Sequence, residues 1–309
     1  MLRFIGTRLL QLPVILAVIY LLTFALVWLA PGSPFEGDRK LDPAVVERLK
    51  RQFHAESWYK FLGYYPQNVL RHGDFGPSLE YKEWSINDIV KSSLPVSVSL
   101  GLLALAIATS LGVAAGVLAA VRRGGPFDLF SLAVALVGIS LPSFVTAGVL
   151  LLAFAVHWQL FPIGGFRNPY ELFLPALALS LMPMAYIARL TRVSMLDTLG
   201  SDYVRTARAK GLSRQKVIWK HCLRNAFLPV LTYLGPAAAY TLTGSFVVEQ
   251  VFNIPGLGQH FVNSVKNRDQ TLILGTVIIY SAFLLTLNLV VDVLYVFVDP
   301  RIDVTAEAA

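Results

Sequence analysis

Few residues of this chain can do covalent chemistry. Its five histidines, His54, His72, His157, His221 and His260, include no pair at the spacing that would put two imidazoles on one helix face to hold a metal. No Gly-rich GxxxxGK[ST] loop is present to cradle a nucleotide phosphate. One cysteine, Cys222, excludes an internal disulfide and fits a reducing side of a membrane. Asp292 lies inside an apolar run, where an ionisable group points either to a gate or to a partner near the interface. Catalytic residues and a metal site are therefore not expected. The chemistry that stands out is electrostatic: residues 203–231 carry seven Lys or Arg, and no Asp or Glu occurs between Asp202 and Glu249.

That basic segment sits in an apolar chain. Of 309 residues 55% are apolar and 15% charged, with a net charge of +7, whereas a soluble domain averages about a quarter charged. Charge-free runs occupy residues 9–35, 92–121, 129–166, 172–188, 225–248 and 270–291. Each can cross about 30 Å of hydrocarbon as a helix, the fourth being the shortest. The sequence thus predicts an all-α integral membrane protein with six transmembrane helices. The first run follows Arg3 and Arg8 like a signal peptide, but its apolar part, residues 9–30, exceeds the roughly 7–15 residues of a secretory core, so it reads as a retained helix. Nine Lys or Arg lie between Arg189 and Arg224, and Arg122 with Arg123 follow the second run. The opposite connections hold only Arg167, Lys266 and Arg268 in short loops. The positive-inside rule then places both termini in the cytoplasm, leaving residues 32–94 external. The predicted division is an N-terminal helix at 1–31, the external segment, a five-helix core at 95–299 with a hairpin at 201–226, and a cytoplasmic tail at 300–309.

Elements follow from local signals. An amphipathic helix is expected at 43–53, a turn in RHGDFGPS, and a helix in SINDIVKSSLP that stops near Pro95. Gly112 and Gly116 have the spacing of closely approaching helices, or simply mark a run of small residues. Pro142, Pro175, Pro183 and Pro236 suit kinked helices. His157 with Trp158 reads as an outer-interface pair. Past the fourth run, Gly200 is a stop, Ser201 or Asp202 a cap, and 203–210 a helix with Tyr203 and Ala207 on one face and Arg205 and Arg208 on another. Gly211 permits a turn. A second helix at 213–226 sets Trp219, Cys222, Leu223 and Ala226 in a packing stripe, with Lys216, Lys220 and Arg224 presented. EQVFNIPGLGQHF after the fifth run suits a tight external loop that dips toward a pore or meets a binding protein.

A membrane-embedded enzyme lacks its ligands here, and a passive ion channel lacks a charged ring. Nucleic-acid binding is a poor fit for a loop tethered at the bilayer on both sides. Lipid anchoring explains the cations but not a helix, Gly turn and helix of fixed length. Docking of a cytoplasmic partner explains both.

TARAKGLSRQKVIWKH resembles the coupling loop of ATP-binding-cassette (ABC) importer permeases, through Arg205, Thr206, Ala207 and Gly211. The general motif's Glu is absent, and Leu228 and Pro229 come late, as in the peptide and nickel branch. MLRFIGTRLL, LAPGSPF, HGDFGPS, INDIV with SSLPVS, EQVFNIPGLGQ and DVLYVFVDPRI are similar to the B-type permease subunits of oligopeptide importers. The resemblance implies a type I importer permease fold in the inner membrane. It implies ATPase docking by Tyr203, Arg205, Thr206, Ala207, Arg208, Lys210, Gly211 and Leu212, and a signature in Glu249, Phe252, Pro255, Gly256, Leu257 and Gly258. The implied partners are a second permease, two ATPases that bind ATP and Mg, an external peptide-binding protein and membrane lipid, with no nucleic acid and no cofactor in this chain. Dipeptides or nickel chelates are the alternative cargo.

Overall fold

A computed structural model describes residues 2–30, 57–78, 81, 84–243 and 245–298. The helix expected at 43–53 and the tail at 300–309 lie outside the described residues. Every regular element described is a helix, apart from one isolated bridge between Pro77 and Ser85. The helices are α1 (Leu2–Leu29), α2 (Trp58–His72), α3 (Ile86–Val121), α4 (Pro126–Ser140), α5 (Ser143–Leu150), α6 (Phe173–Leu199), α7 (Asp202–Ala209), α8 (residues 214–226), α9 (Leu228–Thr243), α10 (Ser245–Val251), α11 (Leu257–Lys266) and α12 (Gln270–Val298). A π-helical turn, Leu151–His157, extends α5. The chain divides into two compact units, residues 98–254 with the chain from 287 onward, and residues 2–97 with 255–286.

Among the described residues four helices are long and apolar enough to span a membrane: Gly6–Leu29, Ile86–Val121, Pro169–Leu199 and Gln270–Val293. These coincide with four of the six expected spans, and one of the remaining two is sharply bent. The run 129–166 is broken into Pro126–Ser140 and Ser143–His157, bent by 110°. Pro142 causes the break: it has no N–H to continue the ladder, and it drives Leu141 into an extended conformation (φ −92°, ψ 127°). The run 225–248 is helical on both sides of residue 244, which lies outside the described residues, as α9 and α10. By contrast Pro95 does not stop a helix, because α3 runs through it from Ile86 to Val121.

In the unit of residues 2–97 and 255–286, α2 was not foreseen. Phe61 and Tyr65 stand at fourfold spacing and are buried against Tyr20 and Phe24 of α1. The Tyr20 and Tyr65 rings stack at 6.1 Å, and Tyr20 donates to the Leu62 carbonyl at 2.9 Å. Gly73, left-handed at φ 63°, ends α2 where the turn was predicted. Asp269 accepts from Ser78 at 2.6 Å, and Thr271 donates to the Pro77 carbonyl at 2.9 Å, fixing the start of α12.

In the other unit, α3 and α6 meet through glycine. A Cβ at Gly112 would stand 2.8 Å from the Met184 carbonyl oxygen, and one at Gly116 would stand 2.5 Å from that of Ala188. Of the two readings of this spacing, close backbone approach is the one observed. Gly138 of α4 would bring a Cβ to 3.2 Å from the Leu181 carbonyl of α6.

Candidate functional site

The basic segment folds as a closed elbow. α6 continues to Leu199 and turns at Gly200, after which Ser201 is extended. Ser201 does not cap α7 with its side chain; its hydroxyl donates back to the Thr198 carbonyl at 2.6 Å. Its carbonyl instead accepts from the amides of Val204 and Arg205, both at 3.2 Å. Thr206 donates to the Asp202 carbonyl at 3.0 Å, which keeps its polar group on its own helix.

The α7 end is closed by two backbone bonds. The Gly211 amide donates to the Arg208 carbonyl at 2.9 Å, and the Leu212 amide to the Ala207 carbonyl at 3.3 Å. This pairing satisfies two carbonyls that a helix end leaves open and needs a left-handed residue. Gly211 supplies it, at φ 78°. Leu212 then packs beside Ala207, the apolar contact that accompanies such a stop. Ser213 accepts from the Lys216 amide at 3.4 Å and starts α8.

α8 carries a surprise in its middle. Residues Val217–Cys222 form a π turn, wider than the α-helix on either side. The extra residue shifts the packing stripe, so Trp219, expected inside with Cys222, is 60% exposed, and Val217 is buried in its place. On α7 Val204 and Ala207 are the buried pair, whereas Tyr203 is exposed and works through its hydroxyl. That hydroxyl accepts from the Asn225 amide at 2.9 Å and donates to the His221 carbonyl at 3.3 Å, lashing α7 to α8.

Val204 and Ala207 of α7 and Val217, Cys222 and Ala226 of α8 share one core with Val117 and Ala120 of α3 and Met195 of α6. Burial pushes the Cys222 thiol above its usual range, opposed in smaller measure by Arg208. On the outside Arg205, Arg208, Lys210, Arg214, Lys216, Lys220 and Arg224 are exposed. Arg205 reaches Asp202 at 3.2 Å, an exposed pair of little energetic weight. The elbow therefore has a packed side seated on two long helices and a cationic side presented outward.

The second predicted group is mostly buried. Glu249 and Phe252 are enclosed, the Ile254 amide donates to the Glu249 carbonyl at 2.9 Å, and Asn253 takes a left-handed φ of 48°. The Phe252 carbonyl accepts from Gly165 at 3.2 Å, and a Cβ at Gly164 would overlap that oxygen. Pro255 is exposed, whereas Gly256, Leu257 and Gly258 are buried, and the Leu257 amide donates to Ser97 at 2.9 Å. Asp292 is half-buried on α12. Trp158 is exposed and edge-on to Phe154 at 5.0 Å. Among the described residues no group of three or more His, Cys, Asp or Glu could hold a metal. The reading missed one conspicuous pair, Asp128 with Arg192. Sequence carries no signal for it, since the partners stand 64 positions apart.

Residues 112–304 match the family described as Binding-protein-dependent transport system inner membrane component. The chain belongs to this family. It is 43% identical over 305 residues to the oligopeptide transport system permease protein OppB of Haemophilus influenzae, covering 98% of this chain and 99% of that one. It is 44% identical to OppB of Escherichia coli K12 over 308 residues, with the same coverage. To the dipeptide transport system permease protein DppB of Bacillus subtilis it is 43% identical over 302 residues, covering 98% of each chain. The structure of an amino acid ABC transporter chain superposes with a TM-score of 0.52 at 19% identity, covering 70% of this chain and 95% of that one, which establishes the shared fold. This family member is a multi-pass permease component of an ABC importer, a transport subunit and not an enzyme.

Proposed function

We propose that the chain is the oligopeptide-conducting permease subunit of an ATP-driven importer, working beside a second, related permease in the inner membrane. Six crossings with both termini cytoplasmic are the topology this reading uses, the broken segment 126–157 and the pair α9–α10 each counting as one. The working division is residues 1–31, 32–94, a core at 95–299 and a tail at 300–309. An external binding protein delivers peptide, and two ATPases inside bind ATP and Mg. The hairpin at 201–226 receives them through Tyr203, Arg205, Thr206, Ala207, Arg208, Lys210, Gly211 and Leu212. Glu249, Phe252 and residues 255–258 carry the family signature of the segment assigned to the outer side, and Asp292 is the intramembrane acid of this reading.

One observation carries the reading: an elbow closed by Gly211 whose apolar side is seated on α3 and α6 and whose cations face away. A push on such an elbow is delivered to two membrane helices, because packed side chains do not compress. Equal similarity to a dipeptide permease supports dipeptides as the second cargo class.

Reversing charge at both positions, Arg205→Glu with Arg208→Glu, tests the docking. Neither side chain is buried, so membrane abundance should stay normal while ATPase recovery in a pull-down falls about tenfold, as for loss of charged contacts at an interface. Undiminished recovery refutes the docking and leaves lipid anchoring as the role of the cations.

A further inference from the structure

Asp128 and Arg192 form a fork-on-fork ion pair between α4 and α6. Arg192 donates from Nε to Oδ1 at 2.6 Å and from Nη2 to Oδ2 at 2.8 Å. A third bond comes from the Gly124 amide, which donates to Oδ2 at 2.9 Å. The Asp128 side chain is 3% exposed and that of Arg192 20%. One carboxylate therefore holds the α3–α4 turn, the first turn of α4 and the last third of α6.

Its position matters more than its strength. Arg192 lies one helical turn before Met195, which is buried in the core of the elbow. Gly124 follows Val117 and Ala120, the α3 residues of that core, by a few positions. The pair thus sits where the elbow meets the helices. α4 and α6 also meet through apolar side chains, with Gly138 facing the Leu181 carbonyl. An apolar pocket of about 140 Å³ lies along their seam, lined among others by Phe130, Val134, Gly138, Met184 and Ala188. A bidentate pair fixes rotation as well as distance between the two helices.

We propose that Asp128 and Arg192 are a positioning pair that makes α4 travel with α6 whenever the elbow moves, so that one push relocates both helices. The proposal rests on the elbow being the ATPase contact. The two ideas separate experimentally, because ATPase recovery reports on docking whereas the α4–α6 distance reports on the pair.

The test uses the complete transporter in liposomes, with Cys222→Ala and spin labels at Leu136→Cys and Val193→Cys, both exposed positions. With the pair intact, the label distance should stay narrow and unchanged between nucleotide-free and ATP-trapped states. Asp128→Asn or Arg192→Gln should broaden it and lower peptide transported per ATP about tenfold at normal ATPase recovery, the scale of a coupling between sites. The swap of Asp128→Arg with Arg192→Asp should restore part of both. Should the neutral variants fail to assemble, Arg192→Lys, which keeps the charge but not the fork, is expected to assemble and broaden the distance. A distance that shifts between nucleotide states with the pair intact overturns the proposal. So does normal transport per ATP in the neutral variants, or a narrow distance in Arg192→Lys.

Discussion

Adding one methyl group at Gly116 should loosen the α3–α6 seam. A Cβ built there stands 2.5 Å from the Ala188 carbonyl oxygen, 2.6 Å from Thr191 Cβ and 3.0 Å from Thr191 Cγ2. The first obstacle is backbone and the second is the first side-chain atom, so no rotamer change relieves either. Restoring ordinary contact requires the helices to separate by about 1 Å, a form of overpacking that costs about 1–3 kcal/mol. Backbone obstruction puts Gly116→Ala at the upper end, offset by about 1 kcal/mol of improved helix propensity. The net loss should therefore be about 2 kcal/mol. Gly112→Ala meets the Met184 oxygen at 2.8 Å, the Ile187 Cγ2 at 2.9 Å and its Cβ at 3.0 Å, a clash milder at its two nearest atoms. Gly148→Ala in α5 meets nothing within 4 Å and serves as the control. Thermal unfolding midpoints of the purified chain in detergent should rank Gly148→Ala at or above the unaltered protein, then Gly112→Ala, then Gly116→Ala. A Gly116→Ala protein as stable as Gly148→Ala would refute the close-approach reasoning.

Gly211 is constrained by its backbone and not by space, since its φ is 78° and a Cβ there meets nothing within 4 Å. Gly211→Val should strain the turn by about 1–2 kcal/mol and uncouple ATP hydrolysis from uptake at normal abundance, whereas Gly211→Asn, which tolerates a left-handed φ, should keep most coupling; equal coupling in the two variants would contradict this. Cys222 is buried and its thiol is pushed up by that burial. Maleimide should therefore modify the folded chain at least about tenfold more slowly than the denatured chain near neutral pH, and similar rates would show that the elbow core is open. His260 has no hydrogen-bond partner for its Nδ1 among the described residues, and burial lowers its pKa below the usual histidine value. The unfolded chain then binds the proton more readily, so this contribution to stability is present above about pH 6.5 and is lost as pH falls through the lowered folded value. His260→Phe should flatten that acid-side decline in unfolding midpoint; an unchanged decline would assign it to other groups.

The apolar runs, their charge boundaries and the Gly211 turn were legible because each depends on residues close in sequence. Helix stops and left-handed glycines are local matters, and the observed α7 differs from the expected 203–210 by one residue at each end. The similarity to peptide permeases was likewise written along the chain. Wherever the answer depended on what a residue meets, sequence was silent or misleading. A 3.6-residue repeat placed Trp219 inside, and the π turn moved it out by adding one residue to the count. Pro95 and Pro142 are the same residue type in apolar surroundings, yet one is carried within a continuous helix and the other ends one. Asp128 and Arg192 were unremarkable charges until the fold closed 64 positions of chain and set a guanidinium against a carboxylate. Periodicity reports which face of an element is apolar, but pairing across distant elements is a property of the packed chain, and that is where the lock between α4 and α6 resides.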